Sequence, residues 1–176
     1  MNLEDLGFNN VKPQVENLPN ISDFELGRVI AEHKQRYLVG TKKGEVEAEI
    51  TGNMRYSANN REDFPAVGDW VTLISYNPEF AIINEVLPRF SVLKRQAVGR
   101  YGEVQIIGAN IDYALIMQAV DRDFSVNRLE RYLTICYSSK VNPIAVLTKT
   151  DLISNGDLKV LTEKIKIRHQ IFDALL

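Results

Sequence analysis

Four consecutive residues, Thr148-Lys149-Thr150-Asp151, have the types and order needed to read a guanine base. A carboxylate accepts two hydrogen bonds from the ring N–H and the exocyclic amine of guanine, a donor pair that adenine does not offer. The lysine stem can lie along the base plane while its ammonium holds a neighbouring loop. The usual form of the motif is Asn-Lys-x-Asp. Threonine in first place keeps one hydroxyl for a loop contact and loses the second group of the amide. The bland alternative makes Thr148 or Asp151 the cap of a turn or helix. Position favours chemistry, because the motif directly follows the apolar run Ile144-Ala145-Val146-Leu147. Ligands of α/β sheets sit beyond the carboxyl ends of such strands.

The phosphate half of a nucleotide site has no counterpart in the sequence. A phosphate loop needs two glycines five apart followed by Lys and Ser or Thr, and no two of the ten glycines have that spacing. No Asp stands three residues before a Gly, so the usual magnesium-side motif is missing as well. The chain is therefore expected to lack catalytic residues and to hydrolyse nothing alone. No metal site is expected. His33 and His169 have no second ligand at metal spacing and read as surface residues, and Cys136 falls on an apolar helix face and reads as core.

The elements that carry the motif form a βαβ unit. Tyr113 to Met117 is a continuous apolar run, expected to be a strand buried on both faces. Val126, Leu129, Leu133, Cys136 and Tyr137 follow at helical spacing, with Asn127 and Glu130 placed like a capping box. The strand ending at Leu147 comes next. A second helix begins near Asp157 and buries Leu158, Leu161, Ile165 and Phe172, with no third strand after it. Residues 103–176 thus read as the first, incomplete part of a larger α/β domain.

Upstream the texture differs. Residues 1–25 form a poorly patterned leader. Residues 26–90 hold five short strand-like runs at Val29–Ala31, Tyr37–Val39, Val46–Ile50, Trp70–Ile74 and Phe80–Leu87, with a polar loop over 52–63. So many short strands without helices between them read as a small closed barrel, of either the OB-fold or the SH3-like type. Trp70 reads as core. Residues 91–102, with two glycines and several basic residues, read as a linker or mobile loop.

Composition sets the outer bounds. In 176 residues, 45% hydrophobic and 25% charged, there is no apolar run of membrane-spanning length and no signal peptide at the start. One cysteine excludes an internal disulfide. A soluble, cytoplasmic, monomeric protein without membrane partners is expected. Residues 1–90 carry nine Lys and Arg against fourteen Asp and Glu, so nucleic-acid contact there would need a local basic cluster.

Several segments taken together resemble one family, the circularly permuted ribosome small-subunit-dependent GTPase A family. They are Gly27-Arg28-Val29, the run Phe64 to Val71, Val86-Leu87-Pro88-Arg89 with Ser91, Leu93 and Arg95, Ala109 to Asp112, Asn127 to Leu133, and Pro143 to Leu152. The resemblance implies an OB-fold followed by a GTPase domain in which the guanine motif precedes the phosphate loop. It further implies GTP as ligand, with Thr148, Lys149 and Asp151 at the guanine base. The implied partners are the small ribosomal subunit and its rRNA, late in subunit assembly. Magnesium and zinc are implied only for the full-length family protein. The chain reads as an amino-terminal fragment. Thr148 departs from the family's usual Asn.

OB-folds bind nucleic acid through a basic groove and stacking aromatics. The candidates are Lys34, Arg36, Lys42, Lys43, Arg55 and Arg61, with Tyr37 or Tyr56 as stacking faces. A different reading makes the chain a stand-alone RNA-binding OB-fold module whose α/β tail is structural.

Overall fold

Short runs rich in β-branched and aromatic residues, alternating with charge in Val46-Glu47-Ala48-Glu49-Ile50, produce five strands, β1 (Glu25–His33), β2 (Arg36–Thr41), β3 (Gly44–Ile50), β4 (Trp70–Asn77) and β5 (Phe80–Val86). In the computed structural model, which describes residues 2–15, 18, 21–34, 36–96, 104–122, 124–169 and 174–175, these strands close a barrel in the order β1-β2-β3-β5-β4. The β3–β5 pair is parallel and the β1–β4 pair antiparallel. That order is the OB-fold, and it resolves the choice that strand counting left open. One side chain in two points inward. Val29, Tyr37, Val39, Val46, Ala48, Ile50, Val71, Leu73, Ala81 and Ile83 fill the interior. The 52–63 segment is not simply a polar loop. Thr51 Oγ1 accepts the Met54 N–H at 3.0 Å and starts a short helix, α2 (Gly52–Ser57), followed by a 3-10 turn at Arg61–Asp63.

The leader also differs from expectation. Its short helix α1 (Lys12–Val15) buries Val11 and Val15 with Trp70 and Leu87 in a second small core. Trp70 is 1% exposed, but it points away from the barrel interior and meets the Phe8 ring edge-on at 5.1 Å. Leu3, Leu6 and Phe8 have no helical or strand period, so their burial was not visible in the pattern.

Within the segment expected to be a linker, Val92–Gln96 is a strand, β6, paired antiparallel with β7 (Val104–Ala109). Residues 97–102 lie outside the described residues. The glycines and basic residues obscured a hairpin whose pairing depends on Val92, Leu93 and Ile106. Two compact units result, dividing between Ile111 and Asp112, and β6 and β7 belong to the first.

The second unit holds β8 (Tyr113–Ala119), α3 (Val126–Ser138), β9 (Asn142–Thr148) and α4 (Asn155–His169). β8 and β9 pair in parallel from Tyr113↔Asn142 to Ala119↔Thr148. A third short strand, β10 (Ala174–Leu175), lies parallel to β9, where the sequence reading had none. Leu129, Leu133, Ala145, Leu147 and Ile165 are buried together, with Leu158 and Leu161 against them; Phe172 lies outside the described residues. The helix α3 is capped by Ser125, whose Oγ accepts the Arg128 N–H, two residues before the expected box at Asn127. The β8 strand is not buried on both faces. Tyr113, Leu115 and Met117 are 64%, 61% and 66% exposed along one side.

Candidate guanine-base site and barrel surface

The Thr148-Lys149-Thr150-Asp151 segment stands at the carboxyl end of β9 beside the loop that leaves β8. Strand pairing extends past Ala119, because Val120 N–H donates to Thr148 O at 3.0 Å. Lys149 then turns the chain in the left-handed region, at φ 58° and ψ 36°, and Thr150–Leu152 makes one 3-10 turn. Its Nζ donates to Asp121 Oδ2 of the β8–α3 loop at 2.9 Å. A cavity of about 260 Å³ opens beside that pair, lined by Gln118, Asp121, Arg128, Tyr132 and Lys149 among others. Thr148 is half-buried and Asp151 exposed.

Capping of the following helix falls to another residue. Ser154 Oγ accepts the Asp157 N–H at 3.1 Å and donates to Asp157 Oδ2 at 2.7 Å, while Ser154 O accepts the Leu158 N–H. The Asp151 carboxylate therefore stands clear of the α4 cap. Asp121 lies 28 residues from Lys149 and belongs to no motif, and its mark in the sequence is a carboxylate just past an apolar strand.

The six barrel cations do not make one track. Arg36 pairs with Glu47 and Glu49, at 3.5 and 3.3 Å. Lys43 Nζ lies 2.9 Å from Glu25, which also accepts the Ser75 hydroxyl. Burial pushes the Glu25 carboxyl up, but the hydrogen bonds from Lys43 and Ser75 outweigh it and hold the group below its ordinary value. Arg61 pairs with Glu32 and stacks over Phe64. Lys34, Lys42 and Arg55 are exposed. Tyr37 cannot be a stacking face, because it is 2% exposed inside the barrel, where burial raises its phenol pKa. Tyr56, at 93%, stands in solvent.

His33 is exposed, and the side chain of His169 lies outside the described residues. Cys136 is 4% exposed on α3, and burial pushes its thiol up. Among the described residues no three His, Cys, Asp or Glu groups converge as metal ligands.

A buried polar cluster in the first unit was not expected. Arg89 donates to Asp69 through Nε and Nη2, at 2.7 and 2.6 Å, and to the carbonyls of Glu62 and Phe64. Asp69 Oδ2 also accepts the Ala66 N–H. Arg28 donates to the carbonyls of Leu6, Gly68 and Asn110. Asn110 is 1% exposed, donates from Nδ2 to Gly68 O and accepts the Phe90 N–H. Gly68, at φ 94°, leaves room for Ala109 O where a Cβ would collide.

The family model described as RsgA GTPase matches residues 86–173, half of the chain. The chain belongs to the RsgA GTPase family. A relative named small ribosomal subunit biogenesis GTPase RsgA 2, from Lactiplantibacillus plantarum, is 47% identical over 130 residues, covering 74% of this chain and 37% of the relative. RsgA 1 of Bacteroides thetaiotaomicron is 33% identical over 165 residues, covering 94% and 46%. The chain thus spans less than half the length of these curated relatives. Among solved structures, YloQ, described as a circularly permuted GTPase, aligns with TM-score 0.63 at 22% identity, and YjeQ from Thermotoga maritima with 0.64 at 20%. Each covers 86% of this chain and half of the other. The fold is shared with both. The RsgA resemblance in Gly27-Arg28, Gly68-Asp69, Arg89 and Ala109-Asn110 falls on the buried polar cluster. Those residues build the first unit.

Proposed function

We propose that the chain supplies the first guanine-recognition segment of an RsgA-type GTPase acting in biogenesis of the small ribosomal subunit. Asp151 accepts the guanine N–H and amine, the Lys149 stem lies against the base, and the Thr148 hydroxyl holds the loop. The observation that carries this reading is the capping of α4 by Ser154, which leaves the Asp151 carboxylate exposed at a strand end. Membership of the RsgA family supports GTP as the ligand.

Hydrolysis is assigned to no residue of this chain. Phosphoryl transfer rests on a phosphate loop and magnesium, and the sequence has neither glycine spacing nor acidic motif for them. One cysteine and two histidines likewise do not fit zinc. The cytoplasm is the compartment this role implies. Contact with rRNA falls to the basic residues Lys34, Arg36, Lys42, Lys43, Arg55 and Arg61, with exposed Tyr56 as the stacking face.

The base reading is tested on the chain by NMR titration with guanosine, xanthosine and adenosine monophosphates at millimolar concentrations. Guanosine monophosphate shifts the amides of residues 148–152 most strongly. Asp151→Asn reverses the preference toward xanthosine monophosphate, because an amide donates to the carbonyl that xanthine carries where guanine carries its amine. Unchanged preference in the folded variant would overturn the assignment.

A further inference from the structure

We infer that Asp121 is a positioning residue of the guanine-base pocket, holding the Lys149 ammonium so that its stem forms one wall; this rests on the guanine reading above. Four observations carry it. The two residues come from loops that leave neighbouring parallel strands at their carboxyl ends. Both backbones are anchored. Val120 N–H donates to Thr148 O, Phe124 N–H to Asp121 O, and Leu152 N–H to Lys149 O. Nζ and Oδ2 meet at 2.9 Å, both residues lining the same cavity, with the lysine side chain 57% and the aspartate 27% exposed. The lysine backbone is in the left-handed region, so a residue other than glycine holds a position that glycine fills more easily.

An exposed ion pair adds little to folding stability. Its effect here is on geometry. A lysine without an anchor samples many rotamers, and ordering one on binding opposes affinity. With Nζ held by Asp121, fewer rotamers of the four-carbon stem remain to be ordered when the base arrives. Arg128 and Tyr132 of α3 line the same cavity.

The test is a double-mutant cycle on the chain, read by NMR titration with guanosine monophosphate and by thermal melting. Asp121→Asn and Lys149→Met should each weaken binding about fivefold, the hold of one exposed pair, with unchanged melting temperature. The double variant should bind no worse than either single one, and Asp121→Glu should restore part of the affinity. Additive losses, or no loss with Asp121→Asn, overturn the positioning role. The Asp151→Asn preference switch distinguishes the two failures. If it occurs while the cycle is additive, only the role of Asp121 falls. If guanosine monophosphate shows no preferred binding, or the switch fails, the base site falls and takes this inference with it.

Discussion

Arg89 closes a buried ion pair in the first unit. It is 16% exposed, its partner Asp69 is fully buried, and it also satisfies two backbone carbonyls. Removing one member of a buried ion pair leaves an unpaired charge, typically at about 3–5 kcal/mol. Arg89→Met should cost that much in urea unfolding of the first unit. Arg89→Lys should recover little, because an ammonium cannot span the carboxylate and both carbonyls with a planar fork. A loss under about 1 kcal/mol would show that water replaces the guanidinium. The residue drew notice through a resemblance, yet its task is to join β4, β5 and the Arg61–Asp63 turn. A residue that carries a family resemblance can sit in a buried junction as readily as at a ligand site.

Among the elements, the turn at Arg61–Asp63 is held by a carboxylate cap. Asp63 Oδ2 accepts the backbone N–H groups of Asn60 and Asn59, at 2.9 and 2.8 Å, and these bonds hold its carboxyl below the ordinary value. A carboxyl with a lowered folded-state pKa contributes stability above its unfolded pKa and loses it as pH falls through the folded value. The difference in unfolding free energy between wild type and Asp63→Asn should therefore be constant above about pH 5 and shrink below pH 4, where unfolded aspartates protonate. A pH-independent difference would remove the cap from the acid response. The turn was read as part of a polar loop because Asn59, Asn60 and Asp63 are ordinary loop residues. Only the arrangement of two backbone N–H groups around one carboxylate makes them an element.

Over the whole molecule, the second unit keeps one apolar face in solvent. The helices α3 and α4 supply the side chains that cover Ala145 and Leu147, while Tyr113, Leu115 and Met117 stay open on β8. An α/β sheet normally carries helices on both faces, and the chain spans less than half the length of its curated relatives. Leu115→Lys should thus change stability of this chain by less than about 0.5 kcal/mol, as expected for an exposed site. It should also lower binding of an apolar dye to the chain. A loss of several kcal/mol would place Leu115 in a packed core.

Local pattern was sufficient for much of this protein. Short apolar runs between turn residues marked all five barrel strands, with alternation at Val46, Ala48 and Ile50, and helical spacing placed Leu129, Leu133 and Cys136 on the buried side of α3. The order of a four-residue motif after an apolar strand named Thr148, Lys149 and Asp151. The strand and helix readings worked because burial in these elements repeats over short distances, so neighbours in the chain report on each other. The rest depended on partners far apart in sequence. The parallel closure of β3 on β5 chose the OB-fold, and the leader's apolar residues acquired a core only through Trp70 and Leu87. The partners of Lys149, Arg28 and Arg89 lie 28, 82 and 20 residues away. Hydrogen bonds and ion pairs are set by distance in space, to tenths of an ångström, and no local periodicity encodes them.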